Sequence, residues 1–325
     1  MKHPRRTFLR LAAGAAALPA VSRVTWAQAY PTRPVHIIVG FPGGSASDTT
    51  ARLIGQWLSE RLGQPFVIEN RVGAVGNIAA ESVIRAPADG YTLLVFNVSA
   101  AINATLYDKL NFNFMRDIAP VAAIIRVPAV MVVNPSVPAK TLPEFIAYAR
   151  ARPGNLSMAS GGKGSPQHVY GELFKMMSGV NFVDVPYRGG APAVTDLLGG
   201  QVQLVFAPVP EAVEYIKAGK LRPLAVTTMS RVEVLPDIPP LADFLPGYDA
   251  SSWQGIGAPK NTPAELIAKL NSQINDALAD PIIKERVAGL GGLVLGGSPT
   301  DFGKLIADET EKWGKVIKFA GIKAD

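Results

Sequence analysis

The sequence predicts an α/β fold in two lobes with a cleft between them. Short apolar strands alternate with amphipathic helix patterns from Val35 onward, which is typical of βαβ units and a mainly parallel sheet. A second series of the same kind starts near Pro128, and the end of the chain is helical. With 325 residues, of which 48% are hydrophobic, the chain is large enough for two cores. We expect the C-terminal helices to pack on one lobe, most simply the first.

The first half holds the most strongly patterned segments. VHIIVG (35–40) is an apolar strand, and residues 47–62 form a helix in which Ile54, Leu58 and Leu62 repeat every four residues. The remaining elements of this half are predicted at FVIEN (66–70), NIAAESVIRA (77–86) and YTLLVFN (91–97).

The second half opens with the strand PAVMVVNPS (128–136). Thr141 and Glu144 fit a capping box before a helix, in which each side chain bonds to the other residue's backbone N–H. Strands are then predicted at LSMAS (156–160), NFVDVPY (181–187), VQLVFAP (202–208) and LRPLAVT (221–227), and helices at HVYGELFKMM (168–177), VTDLLGG (194–200) and EAVEYIKAG (211–219).

Two more helix starts are predicted near the C-terminus. Thr262 and Glu265 fit a capping box with Pro263 at the first helical position, so we expect a helix to about residue 278. Ser298 is expected to cap the final helix, with Asp301 in the first turn, where the helix dipole favours an acid.

The first 29 residues have the pattern of an export signal. A basic start, MKHPRRTFLR, is followed by the apolar run LAAGAAALPAV and by a small-x-small site that predicts cleavage after Ala29. The apolar run is too short to span a bilayer. Arg5 and Arg6 resemble the twin-arginine export motif, but Pro4 stands where Ser or Thr is usual, so both export routes stay open. The mature protein is therefore expected in the periplasm.

Most of the net positive charge lies in this segment. The formal net charge is +6, and the first 29 residues hold five Lys or Arg and no acid. The remaining body is therefore nearly neutral, without the clustered basic residues that track nucleic-acid phosphates. We expect no nucleic-acid partner.

The chain has no cysteine, so it offers no disulfide, thiolate nucleophile or Cys-type metal site. After removal of the signal only His36 and His168 remain, too few for a three-His zinc site, and no H-E-x-x-H motif is present. We expect neither a metal nor a cofactor. His36 lies inside the first strand and is expected to be a packed residue.

Two strand–turn–helix junctions are the main candidates for a site: residues 41–48 (FPGGSASD) and 159–168 (ASGGKGSPQH). Their glycines let the backbone approach a ligand, and each ends in a helix start, at Ser47 or Asp48 in the first and at Ser165 in the second. A helix N-terminus carries unpaired N–H groups and partial positive charge. Facing each other across a cleft, the junctions would bind a carboxylate; alternatively, both are ordinary tight turns.

Other polar residues allow more than one interpretation. Arg188, in the turn VPYRGGAP (185–192), either reaches a carboxylate or is solvated, and Tyr187 either offers its hydroxyl or packs. Asp48 either caps its helix or meets an amine or hydroxyl of the ligand. Ser165 and His168 would suit an exported hydrolase, but no third orienting group and no G-x-S-x-G motif is found, so binding is expected rather than catalysis.

An ordered set of motifs covers essentially all of the mature chain. It includes YPTRPVHIIVGFPGGSASD, LGQPFVIENRVGAVGNIAAE, VVNPSVPAKTLPEFIAYA, AGKLRPLAVT, LPDIPPL and WQGIGAP. These motifs resemble those of the substrate-binding proteins of tripartite tricarboxylate transporters, the Bug receptor family. The resemblance implies a type II periplasmic-binding-protein fold, with residues 30–128 and 253–325 in lobe 1 and 129–252 in lobe 2.

The resemblance also implies a function. Such a receptor, expected to be a monomer, captures a di-, tri- or aromatic carboxylate by hinge closure and delivers it to an integral membrane transporter; a sensor-only role without a transporter stays open. The family's ligand-binding positions fall on Phe41, Pro42, Gly43, Gly44, Ser45, Ala46, Ser47, Asp48, Asn97, Ser99, Ser160, Gly162, Gly164, Ser165, His168, Tyr187, Arg188, Gly189 and Ala207. Ser45 departs from the family, which usually has Gly there and often has Ala at the position of Gly43.

Overall fold

A computed structural model describes residues 30–107 and 109–324. The predicted signal peptide and its cleavage site lie outside the described residues. The first part of the chain forms strands β1 (Val35–Val39), β2 (Phe66–Asn70) and β3 (Thr92–Asn97), and helices α1 (Ala46–Leu62), α2 (Asn77–Ile84), α3 (Ser99–Leu106) and α4 (Phe114–Asp117).

The middle of the chain forms a second α/β unit. Its strands are β4 (Ile118–Val133), β5 (Ser157–Ser160), β6 (Val183–Pro186), β7 (Leu204–Pro208) and β8 (Arg222–Val226), and its helices are α5 (Leu142–Arg150), α6 (Pro166–Ser178), α7 (Gly190–Leu198) and α8 (Val209–Lys217). The chain ends with β9 (Ser251–Pro259), β10 (Leu293–Val294) and the helices α9 (Ala264–Ala279), α10 (Pro281–Gly289) and α11 (Pro299–Ala320).

The strands run in the order β2-β1-β3-β9-β4-β7-β5-β6, and β8 and β10 also pair with β4. Strand β4 belongs to both lobes. Its first part, up to Pro128, pairs with β9, and its second part, from Ala129, pairs with β7 and β8. We call the unit around β1, β2, β3 and β9 lobe 1, and the unit around β5, β6, β7 and β8 lobe 2.

The prediction of a mainly parallel sheet is wrong, because the sheet is mixed. β1 pairs in parallel with β2 and β3, and β5 with β6 and β7, but β9 and β4 are antiparallel to their neighbours. The sequence analysis missed β9, whose interior contains two glycines. A Cβ on Gly255 would lie 2.6 Å from the Ala122 carbonyl oxygen, and one on Gly257 would lie 3.1 Å from a Phe96 ring carbon. Glycine is therefore required for this strand to pack, although glycine usually argues against a strand.

The helix caps confirm some predictions and correct others. Ser298 caps α11 in a full capping box with Asp301, as predicted. α9 begins at Ala264 with Pro263 as its N-cap, because the Thr262 hydroxyl donates to the Pro259 carbonyl instead, at 2.8 Å. The predicted capping box at Thr262 is therefore wrong.

The cap of α5 is only half of the predicted box. The Thr141 hydroxyl accepts from the Glu144 N–H at 3.4 Å, whereas the Glu144 carboxylate accepts from the Lys140 N–H at 2.7 Å, one residue before the cap. His36 also differs from its prediction. Its side chain is partly exposed, and its Nδ1 lies 2.5 Å from a Glu69 carboxylate oxygen.

The C-terminal helices do not pack on lobe 1 alone. α9 packs against α1 and β4, whereas α11 contacts both α3 of lobe 1 and α6 of lobe 2. Trp313 of α11 lies 5.5 Å, between ring centroids, from Tyr170 of α6. The indole N–H groups of Trp313 and Trp253 donate to the Glu309 carboxylate at 2.7 and 3.4 Å, so α11 is also bound to β9. Within the described ranges no helix is both long enough and apolar enough to cross a membrane.

Candidate functional site

The two glycine-rich junctions have the same position in their lobes. The first connects β1 to α1 and the second connects β5 to α6, and both strands belong to parallel pairs. Ligands of open α/β sheets bind outside the carboxyl ends of the strands, which is where both turns lie. We call residues 41–48 loop 1 and residues 160–168 loop 2.

Loop 1 is a turn stabilised by its own helix start. The Ser45 N–H donates to the Pro42 carbonyl at 3.1 Å, and Gly44 between them is left-handed, with φ of 81°. Ser45 is the N-cap of α1, because its hydroxyl accepts from the Asp48 N–H at 3.3 Å. The Asp48 carboxylate in turn accepts from the Gly44 N–H at 2.9 Å. The prediction that Ser47 or Asp48 starts the helix is therefore corrected to Ser45.

Loop 2 repeats this arrangement bond for bond. The Ser165 N–H donates to the Gly162 carbonyl at 3.0 Å, and Gly164 is left-handed, with φ of 70°. The Ser165 hydroxyl accepts from the His168 N–H at 3.3 Å, which confirms Ser165 as the N-cap of α6. The acceptor for the Gly164 N–H is the imidazole Nδ1 of His168, at 3.0 Å.

The two loops differ in the donors that they leave for a ligand. The N–H groups of a first helical turn have no acceptor within the helix. In loop 1, Ala46 and Ser47 both present such groups at the positive end of the helix dipole. In loop 2 the first helical residue is Pro166, which has no N–H, so Gln167 alone takes this role. Loop 1 therefore offers more N–H donors than loop 2 does.

Asp48 acts inside its own loop. Its carboxylate accepts from Gly44, from both Nε and Nη2 of Arg52 at 2.9 and 3.0 Å, and from the Asn70 amide at 2.9 Å. The hydrogen bonds from Arg52 are the main cause that lowers the Asp48 pKa to about 2. A carboxylate engaged in this way matches neither interpretation made from the sequence. It is not the N-cap, and its oxygens are already used within the protein.

Ser165 and His168 do not form a catalytic pair in the described structure. The serine hydroxyl bonds to the backbone of His168, and the imidazole Nδ1 bonds to the backbone of Gly164. The other ring nitrogen, Nε2, lies 3.8 Å from carboxylate oxygens of Glu172 and Asp184. The two side chains thus have separate partners.

Loop 2 lies against lobe 1. A Cβ built on Gly164 would overlap the side chain of Leu106, which ends helix α3 of lobe 1. The turn after β6 lies beside loop 2, because a Cβ on Gly162 would be 3.4 Å from the Tyr187 carbonyl oxygen and one on Gly161 would be 3.6 Å from Gly189. The second and third predicted motifs therefore form one surface.

In this third turn Arg188 is the available group. The Tyr187 hydroxyl donates to the Asp196 carboxylate at 2.6 Å, and this bond raises the pKa of Tyr187 to about 12. The hydroxyl proton of Tyr187 is therefore already used in the bond to Asp196. The side chain of Arg188 is exposed, and no carboxylate in the described part of the chain lies within ion-pair distance of it. A free guanidinium beside loop 2 suits bidentate recognition of a carboxylate.

Comparison with known proteins decides the family. The model of the tripartite tricarboxylate transporter family receptor matches residues 50–322. The chain belongs to this receptor family. BugT of Bordetella pertussis is 37% identical, over 91% of this chain and 92% of BugT. Receptors of the family are periplasmic.

Solved structures of similar proteins show the same fold. A protein of R. palustris with adipate is 40% identical and has a TM-score of 0.78. The match covers 90% of this chain and 99% of that protein. MatC of Rhodopseudomonas palustris with bound malate is 33% identical, with a TM-score of 0.74 and coverage of 89% and 100%. The prediction of a two-lobed α/β periplasmic-binding fold is confirmed.

The other predicted residues of this receptor have varied surroundings. The Asn97 amide donates to the Ser47 hydroxyl at 3.2 Å and accepts from the Ser99 N–H at 2.9 Å, so β3 is joined to loop 1. Burial raises the pKa of Asp184, and the hydroxyl of the fully buried Ser160 is one of the groups that lower it. Ala207 is also buried, in the core of lobe 2.

Sequence reasoning did not predict the small pocket that lies beside loop 1 in lobe 1. A small cavity of about 20 Å³ is bordered by Phe41 of loop 1, by β3 and by residues 75–77, including Val75, Asn97 and Asn103. The Asn103 amide donates to the Val75 carbonyl at 3.1 Å, and Val75 has a left-handed φ of 51°. The glycines of RVGAVGN (71–77), just before the predicted helix at 77–86, were the available signal.

Proposed function

We propose that this protein is a periplasmic receptor for a small dicarboxylate, which it binds between loops 1 and 2 and delivers to a membrane transporter of its family. The observation that carries the proposal is the pair of matched turns, each with free helix N-terminal donors. The relatives whose structures contain adipate and malate support the choice of a dicarboxylate.

We assign each carboxylate of the ligand to the hydrogen-bond donors of one lobe. One carboxylate binds the N–H groups of Ala46 and Ser47 in loop 1, and the other meets Gln167 and Arg188 on lobe 2. Each hydrogen bond to a charged group contributes about 1.5–3 kcal/mol. Three such bonds reach the roughly 8 kcal/mol of a micromolar complex.

We expect the two lobes to close because the ligand contacts both of them. Only a ligand that binds the closed state more tightly than the open state shifts the balance between them. We place the hinge where β4 leaves lobe 1, between Pro128 and Ala129, and where the chain returns, at Ala250 and Ser251. The proposed lobes are residues 30–128 with 253–325, and residues 129–252.

The decisive experiment is calorimetric titration with malate, adipate, a tricarboxylate, an aromatic acid and the diamide of adipate. We expect micromolar binding of at least one dicarboxylate and none of the neutral diamide. Binding of the diamide as tightly as of adipate would contradict the proposal.

A variant of loop 1 tests the assignment of donors. Ala46→Pro gives loop 1 the proline that loop 2 has at the same position, and the extended Ser45 (φ −67°, ψ 161°) accepts a following proline. Folding should be preserved, while loss of one charge-assisted hydrogen bond should weaken dicarboxylate binding by roughly 10- to 150-fold. Ala46→Ser, which keeps the N–H, is the matched control. Unchanged affinity in the proline variant would exclude this donor.

Export and delivery are proposed on the same basis. The signal peptide of residues 1–29 predicts a mature chain that begins at Tyr30, which N-terminal sequencing of the exported protein would check. Transport is tested by uptake of the labelled ligand in cells with and without the gene. Normal uptake without the receptor, despite tight binding in vitro, would favour a sensor partner instead.

A further inference from the structure

We infer that His168 is a positioning residue that makes ligand binding at loop 2 sensitive to pH, whereas loop 1 is insensitive. The inference rests on the proposed carboxylate site. It follows from the matched hydrogen bonds of the two loops, which differ in the chemical nature of one acceptor.

The acceptor holds each left-handed glycine in place. In loop 1 the Gly44 N–H donates to the Asp48 carboxylate, and in loop 2 the Gly164 N–H donates to His168 Nδ1. Each bond closes the turn that aims the adjacent helix N-terminus at the cleft. A carboxylate whose pKa is about 2 accepts at every physiological pH, but an imidazole accepts only while neutral.

The geometry fixes the tautomer of His168. Because the Gly164 N–H can only donate, Nδ1 carries no proton, and the proton of the neutral imidazole is on Nε2. A second proton would enter at Nδ1, directly opposite the Gly164 N–H. Two donors would then face each other at 3.0 Å, so the turn would have to open.

Charged groups surround the imidazole from several elements. Glu172 of α6 and Asp184 of β6 each lie 3.8 Å from Nε2, and Lys175 of α6 forms an ion pair with Glu172 at 2.7 Å. Lys175 and Lys163 of loop 2 both disfavour a positive charge on the imidazole. The two carboxylates favour the imidazolium, but burial opposes it more strongly, so the pKa of His168 is below the ordinary 6.5. The bond from the Gly164 N–H to His168 is therefore formed at neutral pH and breaks in acid.

The test compares pH profiles of dicarboxylate affinity between pH 8 and 4.5. His168→Asn keeps an acceptor oxygen for the Gly164 N–H, as Asp48 has in loop 1, and removes the titration without adding charge beside Glu172 and Asp184. Below the His168 pKa, the wild-type protein should lose up to about tenfold in affinity per pH unit relative to this variant. Titration of the ligand itself affects both proteins equally.

His36 provides the matched control, since it is partly exposed and bonded to Glu69 at the start of β1. His36→Asn should keep the wild-type pH profile. If His168→Asn keeps it as well, or if His36→Asn abolishes it, the inference is wrong.

A second measurement needs no ligand. In the free protein, ¹⁵N shifts of the imidazole should show an unprotonated Nδ1 at pH 7.5, and the protection factor of the Gly164 amide against hydrogen exchange should fall as His168 protonates. A protonated Nδ1 at pH 7.5 would overturn the inference. If no carboxylate binds at any pH, the proposed function fails, and this measurement still decides the role of His168.

Discussion

Substitution of the two left-handed glycines by alanine separates backbone strain from contact between the lobes. Gly44 and Gly164 have φ values of 81° and 70° in equivalent turns. Among the described residues, no atom lies within 4 Å of a Cβ built on Gly44, whereas one built on Gly164 would overlap the buried side chain of Leu106. Both variants therefore place an alanine in a left-handed conformation, and only Gly164→Ala adds a clash with Leu106.

The magnitudes follow from these two terms. A left-handed conformation costs an L-residue about 1–2 kcal/mol, so Gly44→Ala should destabilise the fold by that amount. Overpacking a filled site typically costs a further 1–3 kcal/mol. Gly164→Ala should therefore cost about 2–5 kcal/mol in total. Both variants keep the backbone N–H, so the bonds to Asp48 and His168 are retained.

Urea unfolding at pH 7.5 measures these free energies, provided the slope with denaturant is unchanged. Leu106→Ala completes a double-mutant cycle, because it removes the atoms that the new methyl group would meet. In that background, Gly164→Ala should cost only the backbone term of about 1–2 kcal/mol. The reasoning would be refuted if Gly164→Ala cost no more than Gly44→Ala, or if its cost were the same with and without Leu106.

Two further predictions concern lobe 1. Val75→Gly should stabilise the protein by about 1 kcal/mol and raise the melting temperature by roughly 2–4 °C, because strain at the left-handed valine exceeds the entropic cost of glycine; a lower melting temperature in thermal unfolding would contradict this. Asp48→Ala should cost about 3 kcal/mol at pH 7, because the Gly44 N–H and Arg52 lose a charged acceptor. Since the Asp48 pKa is lowered to about 2, this contribution is present above its ordinary value of 3.8 and lost as the pH falls towards 2. Urea midpoints of wild type and variant should therefore converge in acid, and a constant difference would count against the network.

The order of most strands and helices could be predicted because it depends on local patterns. Two features that were not predicted depend on contacts that the sequence pattern does not reveal. β9 has glycines where Ala122 and Phe302 approach its backbone, and no local pattern reveals those neighbours. Thr262 and Ser298 show the same capping sequence, yet only Ser298 caps a helix, because Thr262 finds a carbonyl acceptor in the preceding turn.

The two loops of the candidate site could be placed at helix starts from the sequence, but the bonds that their side chains form could not be predicted. Sequence reasoning placed both glycine-rich loops at helix starts, and the structure brings loop 2 against lobe 1 through Gly164 and Leu106. It could not foresee that Asp48 and His168 direct their acceptors at the backbone of their own loops. A polar side chain in a first helical turn has the same sequence pattern whether it bonds inward or faces a ligand.

The two loops indicate which features of this turn the fold requires and which it leaves open. Between residues 42–48 and 162–168 only the left-handed glycine and the serine cap are identical, and the third helical residue supplies an acceptor in both. The first helical residue is free to differ, as Ala46 and Pro166 do, and this difference sets the number of N–H donors. Loop 1 therefore offers an anionic ligand more N–H donors than loop 2 does. The ligand should bind there first, and closure of lobe 2 should follow.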